Sequence, residues 1–158
     1  MAKASPGATT SPSSAERITV VADTREQEPY AFDPEAVEVV RRALPAGDYS
    51  LPGYEASIAV ERKTLADYVS SVIRGRDRFL RELRALAEYD LGCVVVEGSL
   101  EDIAAHRYRS DASPSAVLGA TLSIIIDHGV PVYFCGDRQQ ACRFVEGLLG
   151  RYHRKVHG

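Results

Sequence analysis

Ile58-Ala59-Val60-Glu61-Arg62-Lys63 runs an apolar triplet directly into a charged one, and few local structures suit both halves. Successive side chains of a strand alternate between faces. As a strand, the segment therefore sets Glu61 and Lys63 on one face and Ile58, Val60 and Arg62 on the other. Upstream, Gly47-Asp48-Tyr49-Ser50-Leu51 is a second short segment with an acid at its end, and Pro52-Gly53 supplies a turn signal between the two. A hairpin across residues 49–60 brings Asp48 back beside Glu61 and Lys63.

Two carboxylates beside an ammonium group cost free energy unless something compensates them. A hard divalent cation would do so: magnesium takes one or two protein carboxylates, keeps several waters and leaves positions for phosphate oxygens. The lysine would then orient or activate an attacking water and offset charge growing on phosphorus. Taken alone, a Glu-x-Lys pair is more often a surface salt bridge on a solvated strand.

The rest of the chain reads as alternating strands and helices. Residues 18–22 are a β-branched run ending at Asp23, and residues 36–44 read as a second strand. Thr64 and Asp67 have the spacing of a capping box. From Leu65 onward, apolar positions recur at helical spacing, are interrupted at Gly75, and resume to Tyr89. Residues 92–97 form a continuous apolar run, as in a strand buried on both faces; Glu97, at its end, reads as a loop carboxylate. Short helical signals follow Ser99. Ser113-Pro114 opens a helix to about His128, residues 130–135 read as the last strand, and Asp137 opens a helix to about Arg154. This order predicts an α/β domain, a central mixed β-sheet flanked by helices, over residues 17–154. A disordered Ser/Pro/Ala/Thr-rich tail is expected over residues 1–16, and a short tail over 155–158.

With 45% hydrophobic and 26% charged residues, 158 residues are enough to bury one core. The formal net charge of −3 argues against a uniformly basic DNA-coating protein but leaves room for a local basic groove. One candidate is the run Arg74, Arg76, Arg78, Arg81 and Arg84, which Asp77 and Glu82 balance only in part. The odd cysteines Cys93, Cys135 and Cys142 and the four histidines have no metal-ligand spacing. No secretory or membrane-spanning segment is evident. The expected location is intracellular: cytoplasm or nucleoid, or the nucleus in a eukaryote.

Taken together, Gly47-Asp48-Tyr49, Glu61-Arg62-Lys63, Asp67, Ser71 and Gly75-Arg76, with Ala22-Asp23-Thr24-Arg25-Glu26 upstream, resemble the signature of the XPF-type structure-specific endonucleases. The resemblance implies a restriction-endonuclease-like core and a Mg2+- (or Mn2+-) dependent DNA endonuclease. It implies a metal held by Asp48, Glu61, the main-chain carbonyl of Arg62 and Asp23. Lys63 is then the water-activating group, and Asp67 a catalytic contributor near the metal or Lys63. Arg25, Arg62, Arg74, Arg76 and Arg78 are the expected DNA contacts, Arg76 foremost, with Glu26 supporting a basic side chain. The implied substrate is branched or flapped DNA near a junction of single and double strands, in repair or recombination. Members of that family usually carry a tandem helix-hairpin-helix domain, for which these 158 residues show no pattern. Junction recognition is therefore expected from a homodimer, paired through the last two helices, or from a partner protein. The competing readings are a catalytically silent DNA-binding or dimerisation module and a less structure-selective nuclease of the same fold.

Overall fold

The computed structural model describes residues 17–158; the tail expected over residues 1–16 lies outside them. Six strands are β1 (Ile18–Asp23), β2 (Val37–Arg42), β3 (Tyr49–Ser50), β4 (Ile58–Thr64), β5 (Leu91–Glu97) and β6 (Val132–Phe134). They form one sheet in the order β2-β1-β3-β4-β5-β6. The pairs β1/β2, β4/β5 and β5/β6 are parallel, whereas β3 is antiparallel to both β1 and β4. Only the two-residue β3 therefore runs against the rest. As a result, the C-terminal ends of β1, β4 and β5 and the start of β3 all open on one edge of the sheet. In open α/β sheets that edge is where ligands bind.

Among the described residues, five helices cover the sheet: α1 (Leu65–Ile73), α2 (Arg76–Ala87), α3 (Leu100–Ala104), α4 (Pro114–Asp127) and α5 (Arg138–His157). On one face, Ile58, Val60, Cys93 and Val95 pack with Ala141, Val145 and Leu149 of α5. On the other, Ala59, Val94 and Val96 pack with Tyr68 and Val69 of α1, Phe79, Leu83 and Leu86 of α2, and Ile103 and Val117. The alternation of β4 thus divides its apolar half between two cores, as its sequence requires. Val94, Val95 and Val96 are wholly buried, each worth roughly 1.5–3 kcal/mol relative to exposure. Gly92 allows α2 to approach: a Cβ there would lie 2.2 Å from the Leu86 carbonyl oxygen.

Local chemistry explains the boundaries. Thr64 caps α1 by accepting the Asp67 amide at 3.1 Å. Ser113 caps α4, with proline at its first turn. The hairpin is shorter than its sequence suggests, because Tyr54 turns the chain through bonds to Leu51 and Ile58 before β4 begins. The final helix continues past Arg154 to His157, so residues 155–157 are helical rather than a tail. Val156 packs on the core and His157 lies edge-on to Tyr54. Basic residues in that last turn also suit the negative end of the helix dipole.

Candidate active site

Asp48 is locked where the two halves of the sheet meet. Its amide donates to the Val60 carbonyl at 2.7 Å, and its carbonyl accepts the Asp23 amide at 2.8 Å. Its carboxylate Oδ2 accepts the Arg62 amide at 2.7 Å. Gly47 makes this approach possible: its φ is +74°, and a Cβ would sit 3.1 Å from the Val60 carbonyl oxygen. The C-terminal half of β4 then presents Glu61 and Lys63 to a cleft of about 740 Å³. Asp48, Glu61, Lys63, Asp67 and Arg25 line that cleft together with Arg78, Phe79, Arg81 and Glu82 of α2.

The acids in this cleft are under-compensated. Burial pushes the Asp48 carboxyl up to about 6, against the Arg62 amide, which favours its charged form. Burial again, and then the Asp48 charge, pushes Glu61 up to about 8, with Lys63 only partly offsetting them. Lys63 Nζ lies 3.5 Å from Glu61 Oε2 and 3.6 Å from Glu82 Oε1. It also sits 5.0 Å from the centroid of the Phe79 ring. Glu82 Oε1 is buried and accepts no hydrogen bond among the described residues. A site with this surplus of buried negative charge suits a hard cation. Among the described residues no three His, Cys, Asp or Glu side chains are grouped to hold a metal by themselves. Asp48, Glu61 and the Arg62 carbonyl would thus form a partial set, completed by water and substrate oxygens, as magnesium favours.

The remaining expected residues divide between the cleft and its supports. Asp23 is buried and does not line the cleft. Its Oδ1 accepts the Leu44 amide, and its Oδ2 accepts both the amide and Nε of Arg25. Burial opposes its charge, yet the Arg25 guanidinium and these amides hold its carboxyl below the usual range. Asp23 therefore positions Arg25, which is exposed at the cleft mouth. Asp67 faces the cleft with its side chain, its amide being spent on Thr64. Arg78 lines the cleft, whereas Arg74 and Arg76 are exposed outside it.

Arg62 departs from the expected DNA contact. Its side chain lies on the opposite face of β4, with Nε 2.6 Å from Glu97 Oε2 and Nη1 3.7 Å from Glu26 Oε1, over the Tyr30 ring. Glu97, expected to be a loop carboxylate, is the hub of this cluster and also accepts the Tyr30 hydroxyl at 2.7 Å. Glu26 accepts the Tyr49 hydroxyl at 3.0 Å and so supports Arg62. Arg81 belongs to the basic run expected from the sequence, whereas Glu82 was expected only to balance that run in part, and both line the cleft. Their signal was available in the spacing of α2, where residues three and four apart share a face with Arg78 and Phe79.

Residues 22–148 match the family model described as the ERCC4 domain. The chain belongs to the ERCC4 domain family. XPF from Aeropyrum pernix has a similar structure, with a TM-score of 0.70 at 28% identity, covering 88% of this chain and 67% of that one. XPF from the same organism in a complex with DNA matches with a TM-score of 0.70 at 30% identity, over 89% of this chain and 66% of that one. A protein of Methanocaldococcus jannaschii, provisionally named ATP-dependent RNA helicase MJ1505, is 30% identical over 123 residues. That alignment takes in 78% of this chain and spans 14% of the relative's length. The ERCC4 match contains every cleft-lining acid, Lys63 and the two supports Glu26 and Glu97. This is an XPF-type nuclease domain with the mixed, helix-flanked sheet that its sequence implied.

Proposed function

We propose that this ERCC4 domain is a divalent-metal-dependent endonuclease that hydrolyses phosphodiester bonds in DNA near junctions of single and double strands. One observation carries the reading: Asp48, Glu61 and Lys63 converge in an open cleft whose rim bears Arg25, Arg78 and Arg81. The relationship to an XPF whose structure contains DNA supports the choice of nucleic acid. Asp48, Glu61 and the Arg62 carbonyl would hold Mg2+ or Mn2+, which when bound supplies Lewis-acid stabilisation of the phosphoryl group. Lys63 orients the attacking water and faces the charge that builds on the phosphate oxygens. The arginines of the rim neutralise flanking phosphates, and Asp67 accepts hydrogen bonds at the cleft wall.

A second copy of the chain is the proposed partner for junction recognition. Leu122 and Ile126 of α4 are 61% and 76% exposed, and Ile125 of α4 and Phe144 of α5 are exposed to a lesser degree. Exposed apolar side chains on each of the last two helices suit a symmetric pairing. The proposed setting is repair or recombination inside the cell. No helix among the described residues is long and apolar enough to cross a membrane.

The deciding experiment offers duplex, single-stranded, flap and forked DNA to the purified protein with Mg2+, Mn2+ or chelator. Metal-dependent cutting that is faster on flaps and forks supports the reading. Cutting of all forms alike marks a less selective nuclease. Binding without cutting in any metal marks a silent module, and either result overturns the corresponding part.

A further inference from the structure

The buried oxygen Oε1 of Glu82 accepts no hydrogen bond among the described residues, and such an orphan is costly unless a charge faces it. The charge that faces it is Lys63, at 3.6 Å. The same ammonium is 3.5 Å from Glu61 Oε2 and 5.0 Å from the centroid of Phe79. Both carboxylate distances exceed the ordinary N–H···O length of about 2.7–3.2 Å. The ammonium thus hangs between two acids, tightly bonded to neither. Glu61 comes from the sheet and belongs to the pair proposed to take the cation. Glu82 comes from α2, three residues from Phe79 on one helix face, and α2 is anchored through the buried Leu83 and Leu86.

We propose that Glu82 is a positioning residue of the nuclease reaction, keeping the Lys63 ammonium aimed into the cleft when Glu61 turns to a divalent cation. This rests on the nuclease reading above. With Glu61 engaged elsewhere, Lys63 would lose one of its two counter-charges. Glu82 supplies the other from an element that the cation does not touch, and the Phe79 ring limits the swing of the lysine stem. Without Glu82 the lysine would follow Glu61 or compete for it.

Two measurements on full-length Glu82→Ala test this. In turnover on the best-cut DNA, kcat should fall about 10- to 100-fold, with KM changed by less than about twofold. In proton–nitrogen correlation spectra of lysine ammonium groups in metal-free protein, the Lys63 signal, assigned by its loss in Lys63→Arg, should broaden or vanish. Glu82→Gln, which keeps an acceptor in place, should restore part of both. A kcat within about twofold of wild type, a defect confined to KM, or an unchanged Lys63 signal would each overturn the proposal. If Glu82→Ala does not fold, Glu82→Asp withdraws the carboxylate by one methylene and is read against the same outcomes. A wild-type protein that cuts no DNA sinks the nuclease reading, while the ammonium signal still decides whether Glu82 holds Lys63.

Discussion

The two faces of the β4 tip carry similar charges under opposite conditions. On one, Arg62 is matched by Glu97 at 2.6 Å and backed by Glu26, and Glu97 takes the Tyr30 hydroxyl as well. On the other, Lys63 stands 3.5 and 3.6 Å from two acids, Glu61 is pushed up to about 8, and Glu82 Oε1 is orphaned. Adjacent residues of one strand thus serve a closed network and an open one. A closed network stabilises geometry; an open one leaves its charged groups imperfectly paired and perturbed, as functional sites do. Asp48 links them, because the Arg62 amide that the closed side fixes is the donor to the Asp48 carboxylate on the open side.

The largest expected effects separate these two faces. Lys63→Ala or Asp48→Ala should lower cleavage about 1,000-fold or more, with a smaller loss of stability than Glu97→Ala causes. Glu97→Ala should do the reverse in kind. It leaves Arg62 partly buried without its main partner, and urea unfolding should show a loss on the order of 3 kcal/mol. Some activity would be lost with it, through a loosened β4 tip. Equal stability losses in Lys63→Ala and Glu97→Ala would erase the distinction between an open and a closed face.

The open face should also declare itself in pH. In the unfolded chain Asp48 and Glu61 release their protons in the ordinary carboxylate range, whereas the folded protein keeps them until about 6 and about 8. Between those limits the folded state binds more protons, so each step upward in pH lowers stability, and the loss is complete above about pH 8. Thermal unfolding without divalent metal should therefore show a falling Tm from pH 5 to 8, a fall reduced in Glu61→Gln. Added Mg2+ should recover more Tm at pH 8 than at pH 6, since the cation competes with protons for the same oxygens. A Tm that rises over this range, or a metal effect independent of pH, would mean that these acids are not strained in the way their burial implies.

Much of this arrangement was legible before any coordinates. The alternation at residues 58–63 assigned Glu61, Lys63 and Arg62 to their faces, and the apolar run at 92–96 required helices on both sides. Hidden were relations that depend on register between distant elements. Glu97 looked like a loop acid because nothing near it in sequence announces Arg62, 35 residues away. Asp23 carries the same residue type as Asp48, yet the Leu44 amide and Arg25 consume both its oxygens. Local sequence gives the donor's type, not whether its lone pairs are free. Glu82 lay in an arginine-rich helix that reads as a solvated face until α2 is docked over Lys63.

The smallest expected effect concerns that arginine run, where the family signature and the cleft geometry choose different residues. Arg76 belongs to the Gly-Arg motif but is exposed at the first position of α2, outside the cleft, whereas Arg81, one helical turn past Arg78, lines it. If phosphate contacts follow the cleft, Arg81→Ala should reduce the slope of log K against log salt by about 1, with Arg76→Ala nearer to wild type. Binding measured in Ca2+ or chelator keeps cleavage out of the comparison. The reverse ranking would place the DNA path across the start of α2, beyond the cleft wall. It would also make Arg78, which sits between the two positions and pairs with Glu82 at 3.8 Å, the branch point of that path.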